Sequence, residues 1–174
     1  MKPDLPVKSC LKAAVLVLIL TLIDLYTKHL AETALQTGPF VLIPGVFELR
    51  YLENRGAAFG ILQNARFFFI ILTLVFLAFM VLLYGKIPVS RKMLPLRLLI
   101  PVVSAGALGN FIDRLLLGYV RDFLYFSLID FPIFNVADIY VTVSAFLFFL
   151  LILFYYKDED FHFLEKKGRA EDEG

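Results

Sequence analysis

The sequence predicts an all-α membrane protein, with four transmembrane helices and a small extracytoplasmic β-sheet between helices one and two. Hydrophobic residues fill 60% of the 174 positions and the mean hydropathy is +0.79, against roughly 45–50% apolar content in soluble domains. Apolar runs at Leu11 to Leu30, Phe67 to Tyr84, Leu94 to Leu117 and Val136 to Tyr156 each approach the ~20 residues a helix needs to cross the hydrocarbon core. Between the first two runs, Phe47, Leu49 and Tyr51 alternate with Glu48 and Arg50 after a Pro44-Gly45 turn signal. That is strand periodicity.

The first run follows a basic stretch but continues into Asp24-Leu25-Tyr26-Thr27-Lys28-His29 without a small-residue cleavage site, so it reads as a retained helix rather than a signal peptide. Residues 31–65 form the only long connection, and a β segment at 40–62 is expected to lie on the outer membrane surface, apolar side down. Its continuation, Asn54-Arg55-Gly56-Ala57-Ala58-Phe59-Gly60, suits a loop that brings backbone close to a ligand; an ordinary turn into helix two explains its composition equally well. One four-helix domain is expected over 1–157. The charged tail, 158–174, reads as a solvated, partly disordered end.

Lys and Arg near the ends of the spans orient the chain. The N-terminus, the connection between helices two and three with its flank (Lys86, Arg91, Lys92, Arg97) and the tail hold eleven; the opposite side and its flanks hold six. Both termini are expected in the cytoplasm. A formal net charge of +1 offers no global basic surface for nucleic acid. Cys10 is the single cysteine and cannot form an intrachain disulfide.

Alternating helix directions bring the polar residues to one depth. Asp24 and Lys28 close helix one, and Asn110, Asp113 and Arg114 close helix three. Asp122 lies in the following connection, and Asn135 and Asp138 open helix four. Asp24 and Lys28 share a face at i, i+4, which favours a structural ion pair. Gly106 and Asn110 stand one turn apart, and small residues here permit close helix contact. Asn135-Val136-Ala137-Asp138 resembles a capping box. Capping accounts for Asn135, whereas capping and chemistry account for Asp138 equally well. Arg121-Asp122 alone reads as a solvated loop pair. What favours chemistry is that two acids enter one site from neighbouring segments, because ionisable groups bordering a membrane are costly and cluster where they function.

Asp24-x-x-Thr27-Lys28, Asn54-x-Gly56-x-Ala58-Phe59, Gly106-Ala107-x-Gly109-Asn110-x-x-Asp113-Arg114, Val120-x-Asp122-Phe123 and Phe134-Asn135-x-Ala137-Asp138 together resemble, in order, the motif set of bacterial lipoprotein signal peptidase (signal peptidase II). The resemblance runs from the first helix to the fourth and leaves out the tail. It implies a cofactor-free, metal-free aspartyl endopeptidase of the bacterial cytoplasmic membrane that cuts prolipoproteins before a diacylglyceryl-modified cysteine, with the active site near the outer face. On that resemblance Asp122 and Asp138 form the catalytic pair, while Asn54, Gly56, Asn110, Arg114 and Asn135 line the substrate site. Asp113 is expected to orient Arg114, with Asp24 and Lys28 supporting the framework. Expected partners are lipidated prolipoproteins and membrane lipids, and the enzyme is expected to be monomeric.

Other chemistries fit less well. His29 and His162 are the only histidines and fall on opposite sides, and no H-E-x-x-H occurs, which disfavours a metalloprotease. A serine elbow of the G-x-S-x-G type is absent; a Ser-Lys dyad through Lys28 stays open on sequence, although Asp24 gives that lysine a simpler partner. The leading alternative is a small proton-coupled transporter or channel subunit, which predicts polar groups spread through the membrane and an internal repeat. A scaffold protein is the third, and it would tolerate neutral replacements at both acids.

Overall fold

The computed structural model describes residues 7–56 and 65–164. Ala57 to Gly60 of the small-residue loop, the end of the expected β segment, and the tail from residue 165 onward lie outside the described residues. Among the described residues, four helices are long and apolar enough to span a membrane: α1 (Val7–Ala34), α2 (Arg66–Lys86), α3 (Leu94–Leu116) and α4 (Val136–Phe154). Their surfaces follow the logic of a lipid solvent. Phe67 is 76% exposed, Val81 72% and Phe154 80%, an arrangement that water would penalise and hydrocarbon does not.

α3 packs against the other three helices. Pro95 stands in its first turn, where the missing N–H is not needed. Further along, small residues set how closely its neighbours approach. A Cβ at Gly106 would lie 2.5 Å from the Ala137 carbonyl of α4, and one at Gly109 would strike the Asp24 carboxylate of α1. Glycine at these two positions lets the α4 backbone and the Asp24 side chain of α1 lie directly against α3.

Three antiparallel strands cap one end of the bundle: β1 (Phe40–Ile43), β2 (Phe47–Asn54) and β3 (Val120–Tyr125), in the order β1-β2-β3. The sheet expected between helices one and two therefore recruits its third strand from the connection between helices three and four. Its register places Leu52 opposite Asp122 and Asn54 opposite Val120. On its other side β3 is tied to the approach to α4: Phe123 N and Leu124 N donate to Phe134 O at 2.9 and 2.8 Å, and Phe134 N returns a bond to Leu124 O at 3.0 Å. Asp122 is thereby delivered beside the start of α4. Ala31, Leu35 and Phe123 form the apolar seam between α1 and the sheet.

A second cluster, Ile87, Met93, Leu96, Ile100 and Tyr156, holds the opposite end of the bundle. Arg97, counted among the flanking basic residues by its sequence position, is buried here. It donates to Ile87 O at 2.6 Å and Ser9 Oγ at 2.8 Å and lies over the Tyr84 ring. The start of the tail, Asp158–Leu164, forms a 3₁₀ helix. Phe161 and Phe163 pack on that cluster and Asp160 pairs with Lys92 at 2.7 Å. Composition hid this anchor because two phenylalanines are diluted among charged residues.

The Tyr156 hydroxyl accepts from Leu96 N at 3.3 Å and donates to Lys92 O at 3.2 Å, satisfying an early N–H of α3 that has no intrahelical partner. Tyr156→Phe is expected to lower stability by about 1–3 kcal/mol. Thermal unfolding in detergent reads it, and an unchanged midpoint would remove the hydroxyl from the stability account.

Candidate active site

All ten residues singled out by sequence join one connected polar network, with Gly56 bonded to Asn54 and Arg114 bonded to Gly56. α4 starts with Asn135 in extended conformation. Asn135 Oδ1 accepts from Asp138 N at 3.0 Å while Asp138 Oδ2 accepts from Asn135 N at 3.1 Å, a reciprocal capping box. Asp24 Oδ1, arriving from α1, takes a further N–H of that first turn, Ala137 N, at 2.8 Å. Three acceptors thus fix the helix end that carries Asp138.

All four carboxylate oxygens of the two candidate acids receive an N–H. Asp122 Oδ1 accepts from Asn135 Nδ2 at 2.6 Å, and Oδ2 from Asn54 Nδ2 at 2.8 Å. Asp138 Oδ1 accepts from Asn110 Nδ2 at 2.8 Å, and Oδ2 from the Asn135 backbone. The Asn54 amide is oriented by Gly56 N, which donates to its Oδ1 at 3.0 Å. Arg114 donates to Gly56 O at 3.2 Å, and its guanidinium lies over the Phe69 ring of α2, 4.6 Å from the centroid.

Asp122 is 1% exposed. Burial, with the charge of Asp138 added to it, pushes its carboxyl up to about 7, against the downward pull of the Asn54 and Asn135 donors and Lys28. A carboxyl with such a value holds or releases a proton near neutrality. Asp138 is less enclosed and faces a cleft of about 380 Å³ shared with Asn54, Asn110, Arg114 and Asp122. Val120, the segment from Phe131 to Phe134, and Ile139, Thr142 and Val143 line the rest, all apolar but for Thr142. This apolar wall escaped sequence reading because its residues look like ordinary lipid-facing ones.

Behind the acids lies an ion network. Lys28, fully buried, stands 2.8 Å from Asp24 and donates to Asn110 Oδ1 at 2.8 Å. The expected Asp24–Lys28 pair is present. Asp113, expected to orient Arg114, instead grips Arg121, with Arg121 NH2 2.7 Å from Asp113 Oδ1 and Lys28 3.6 Å away. Arg121 also reaches Glu32 at 2.9 Å. Consecutive helical residues point about 100° apart, so Asp113 looks toward α1 and β3 while Arg114 looks toward the loop. Arg121 and Glu32 are the residues sequence reasoning missed. Their partners lie eight and 89 positions apart, and no local pattern signals such pairs.

Residues 16–154 match the family model described as Signal peptidase (SPase) II. A lipoprotein signal peptidase of Streptococcus thermophilus is 45% identical over 152 residues, covering 86% of this chain and 96% of the relative. One from Caldanaerobacter subterraneus subsp. tengcongensis is 42% identical over 144 residues, covering 82% and 96%. A solved bacterial membrane enzyme superposes with a TM-score of 0.73 at 32% identity, covering 82% of this chain and 87% of that one. The matched region contains all four helix cores, the sheet and both acids, and the chain belongs to the signal peptidase II family.

Proposed function

We propose that this chain is a lipoprotein signal peptidase of aspartyl type, in which Asp122 and Asp138 cleave the signal peptide from diacylglyceryl-modified prolipoproteins just before the lipidated cysteine. The observation that carries the reading is the pairing itself: two acids from β3 and α4, both bonded to Asn135, facing one cleft. Two carboxylates sharing a poorly solvated site hold one proton between them and titrate as a unit. The ionised member takes a proton from a water attacking the scissile carbonyl. The protonated member donates to the developing oxyanion and then to the leaving amine.

Arg114 and the second N–H of the Asn54 and Asn110 amides supply donors for the peptide backbone, Asn135 spends both of its amide N–H groups on Asp122 and Asn110, and the backbone of Gly56 lies within reach of Arg114. The apolar wall from Phe131 to Val143 suits a substrate already dissolved in lipid, since Ile139 and Val143 are exposed on the membrane-facing surface of α4. The Lys and Arg distribution supports an orientation with both termini in the cytoplasm and the sheet end outside. In that orientation the sheet covers the site against water.

The raised Asp122 carboxyl fixes a sign for the pH profile. Below about pH 7 the pair keeps its last proton; above it the acid member is lost. With a lipidated prolipoprotein in detergent, kcat/KM is expected to fall about tenfold per pH unit above pH 7, while the same peptide without its diacylglyceryl group is left uncut. A flat profile between pH 6 and 9 would remove Asp122 from proton transfer, and equal cutting of the unlipidated peptide would overturn the substrate assignment.

A further inference from the structure

Arg121 precedes Asp122 on β3, yet its side chain serves the other side of the network. Three of its N–H groups meet one buried acid: the backbone N and Nε reach Asp113 Oδ2 at 3.0 and 3.2 Å, and NH2 reaches Oδ1 at 2.7 Å. NH1 goes to Glu32 at 2.9 Å. With Asp113 satisfied, the Lys28 ammonium stands 3.6 Å from it, beyond hydrogen-bonding distance, and turns its donors to Asp24 and Asn110 Oδ1.

That choice fixes an amide. Asn110 Oδ1 accepts from Lys28 at 2.8 Å and from Asn135 Nδ2 at 3.2 Å. An amide whose oxygen faces an ammonium cannot turn that oxygen elsewhere without stranding a buried cation. Asn110 Nδ2 is therefore committed to Asp138 Oδ1. Were Asp113 to lose Arg121, it would compete for Lys28, whose ammonium already stands 3.6 Å away, and the lock on Asn110 would loosen.

We propose that Arg121 is a positioning residue for the cleavage reaction: by saturating Asp113 it leaves Lys28 free to hold the Asn110 amide in the orientation that donates to Asp138. This rests on the reading of Asp122 and Asp138 as the reacting pair. The groups facing Asp138 are Asp122 from β3, Arg114 and Asn110 from α3 and, through Asn110, Lys28 with Asp24 from α1. Of these, the Arg121 substitution directly alters only the link through Lys28.

The test uses the full chain in detergent and a lipidated prolipoprotein, with Arg121→Gln, Arg121→Lys and the double variant Arg121→Gln/Asp113→Asn. For Arg121→Gln, kcat is expected to fall about tenfold with KM nearly unchanged. The acid limb of the pair's pH profile should move up by about one unit, because the pair loses a donor to its ionised form. Arg121→Lys keeps the charge without the fork and should shift the limb less. The double variant removes the acid that would compete for Lys28 and should return the limb toward the parent position.

A loss of thermal stability with kcat and the acid limb unchanged would reduce Arg121 to a structural tie and overturn the proposal. Should Arg121→Gln not fold, an unmoved acid limb in folded Arg121→Lys would overturn it equally. Asp138→Asn is run alongside: if that variant cleaves normally, the aspartyl reading itself fails, whereas an inactive Asp138→Asn beside an unmoved Arg121→Gln profile defeats this inference alone.

Discussion

Asp122→Asn is expected to keep the fold and to lose cleavage of a lipidated prolipoprotein by about 10³-fold or more. The substitution is nearly isosteric, and its surroundings explain why the loss should be chemical. Asn54 and Asn135 each donate one N–H to this side chain, and the asparagine oxygen still accepts one of them. The other donor meets an NH2 group, a local mismatch costing about 1–3 kcal/mol. What cannot be replaced is the exchangeable proton of a carboxyl poised at about 7. Asp138→Asn should be equally inactive and less stable, because Asp138 also closes the capping box on the Asn135 backbone. Single-turnover cleavage at saturating substrate, beside thermal unfolding of the same preparations, separates the two effects. If either variant keeps more than about a tenth of the parental rate while folded, the pair assignment fails.

The parts of this protein that could be read from sequence are those whose signals are local. Four apolar runs of spanning length gave the helices, because lipid demands apolarity on every exposed face. The cap on α4 was equally readable, since Asn135 and Asp138 stand three residues apart and serve each other. β3 was not. Val120-Arg121-Asp122-Phe123-Leu124-Tyr125 carries no clean alternation, being buried on parts of both faces, and its partner β2 lies some 70 positions away in the chain. The same distance effect hid the tie between Arg121 and Glu32. Adjacency also misled: Asp113 and Arg114 are neighbours in sequence and diverge on the helix. The motif resemblance named both acids. What it lacked is the wiring behind them, which depends on the registers of β2, β3 and the Phe134 bridge.

Lys28→Met should be the most destabilising single change in the network, and the reason identifies which acid the lysine chiefly serves. Methionine fills a similar volume without charge, so the loss is electrostatic. It strands carboxylates that are 0% and 1% exposed, Asp24 and Asp113, and removing one partner of a buried pair costs about 3–5 kcal/mol. The two acids are not equivalent. Asp113 keeps three donors from Arg121. Asp24 keeps one backbone N–H, from Ala137. Neutralising Asp24 in the same chain should therefore restore about 2 kcal/mol or more of the lost stability, whereas neutralising Asp113 should restore little and disturb Arg121 besides. Activity should not return in either double variant, because Asn110 Oδ1 still lacks the ammonium that sets its amide toward Asp138. Thermal midpoints of the parent, Lys28→Met, Asp24→Asn, Asp113→Asn and the two double variants complete the cycle. Equal rescue by both neutralisations would mean that Lys28 is shared evenly, and full recovery of cleavage in the Lys28→Met/Asp24→Asn chain would show that the ammonium acts on stability alone.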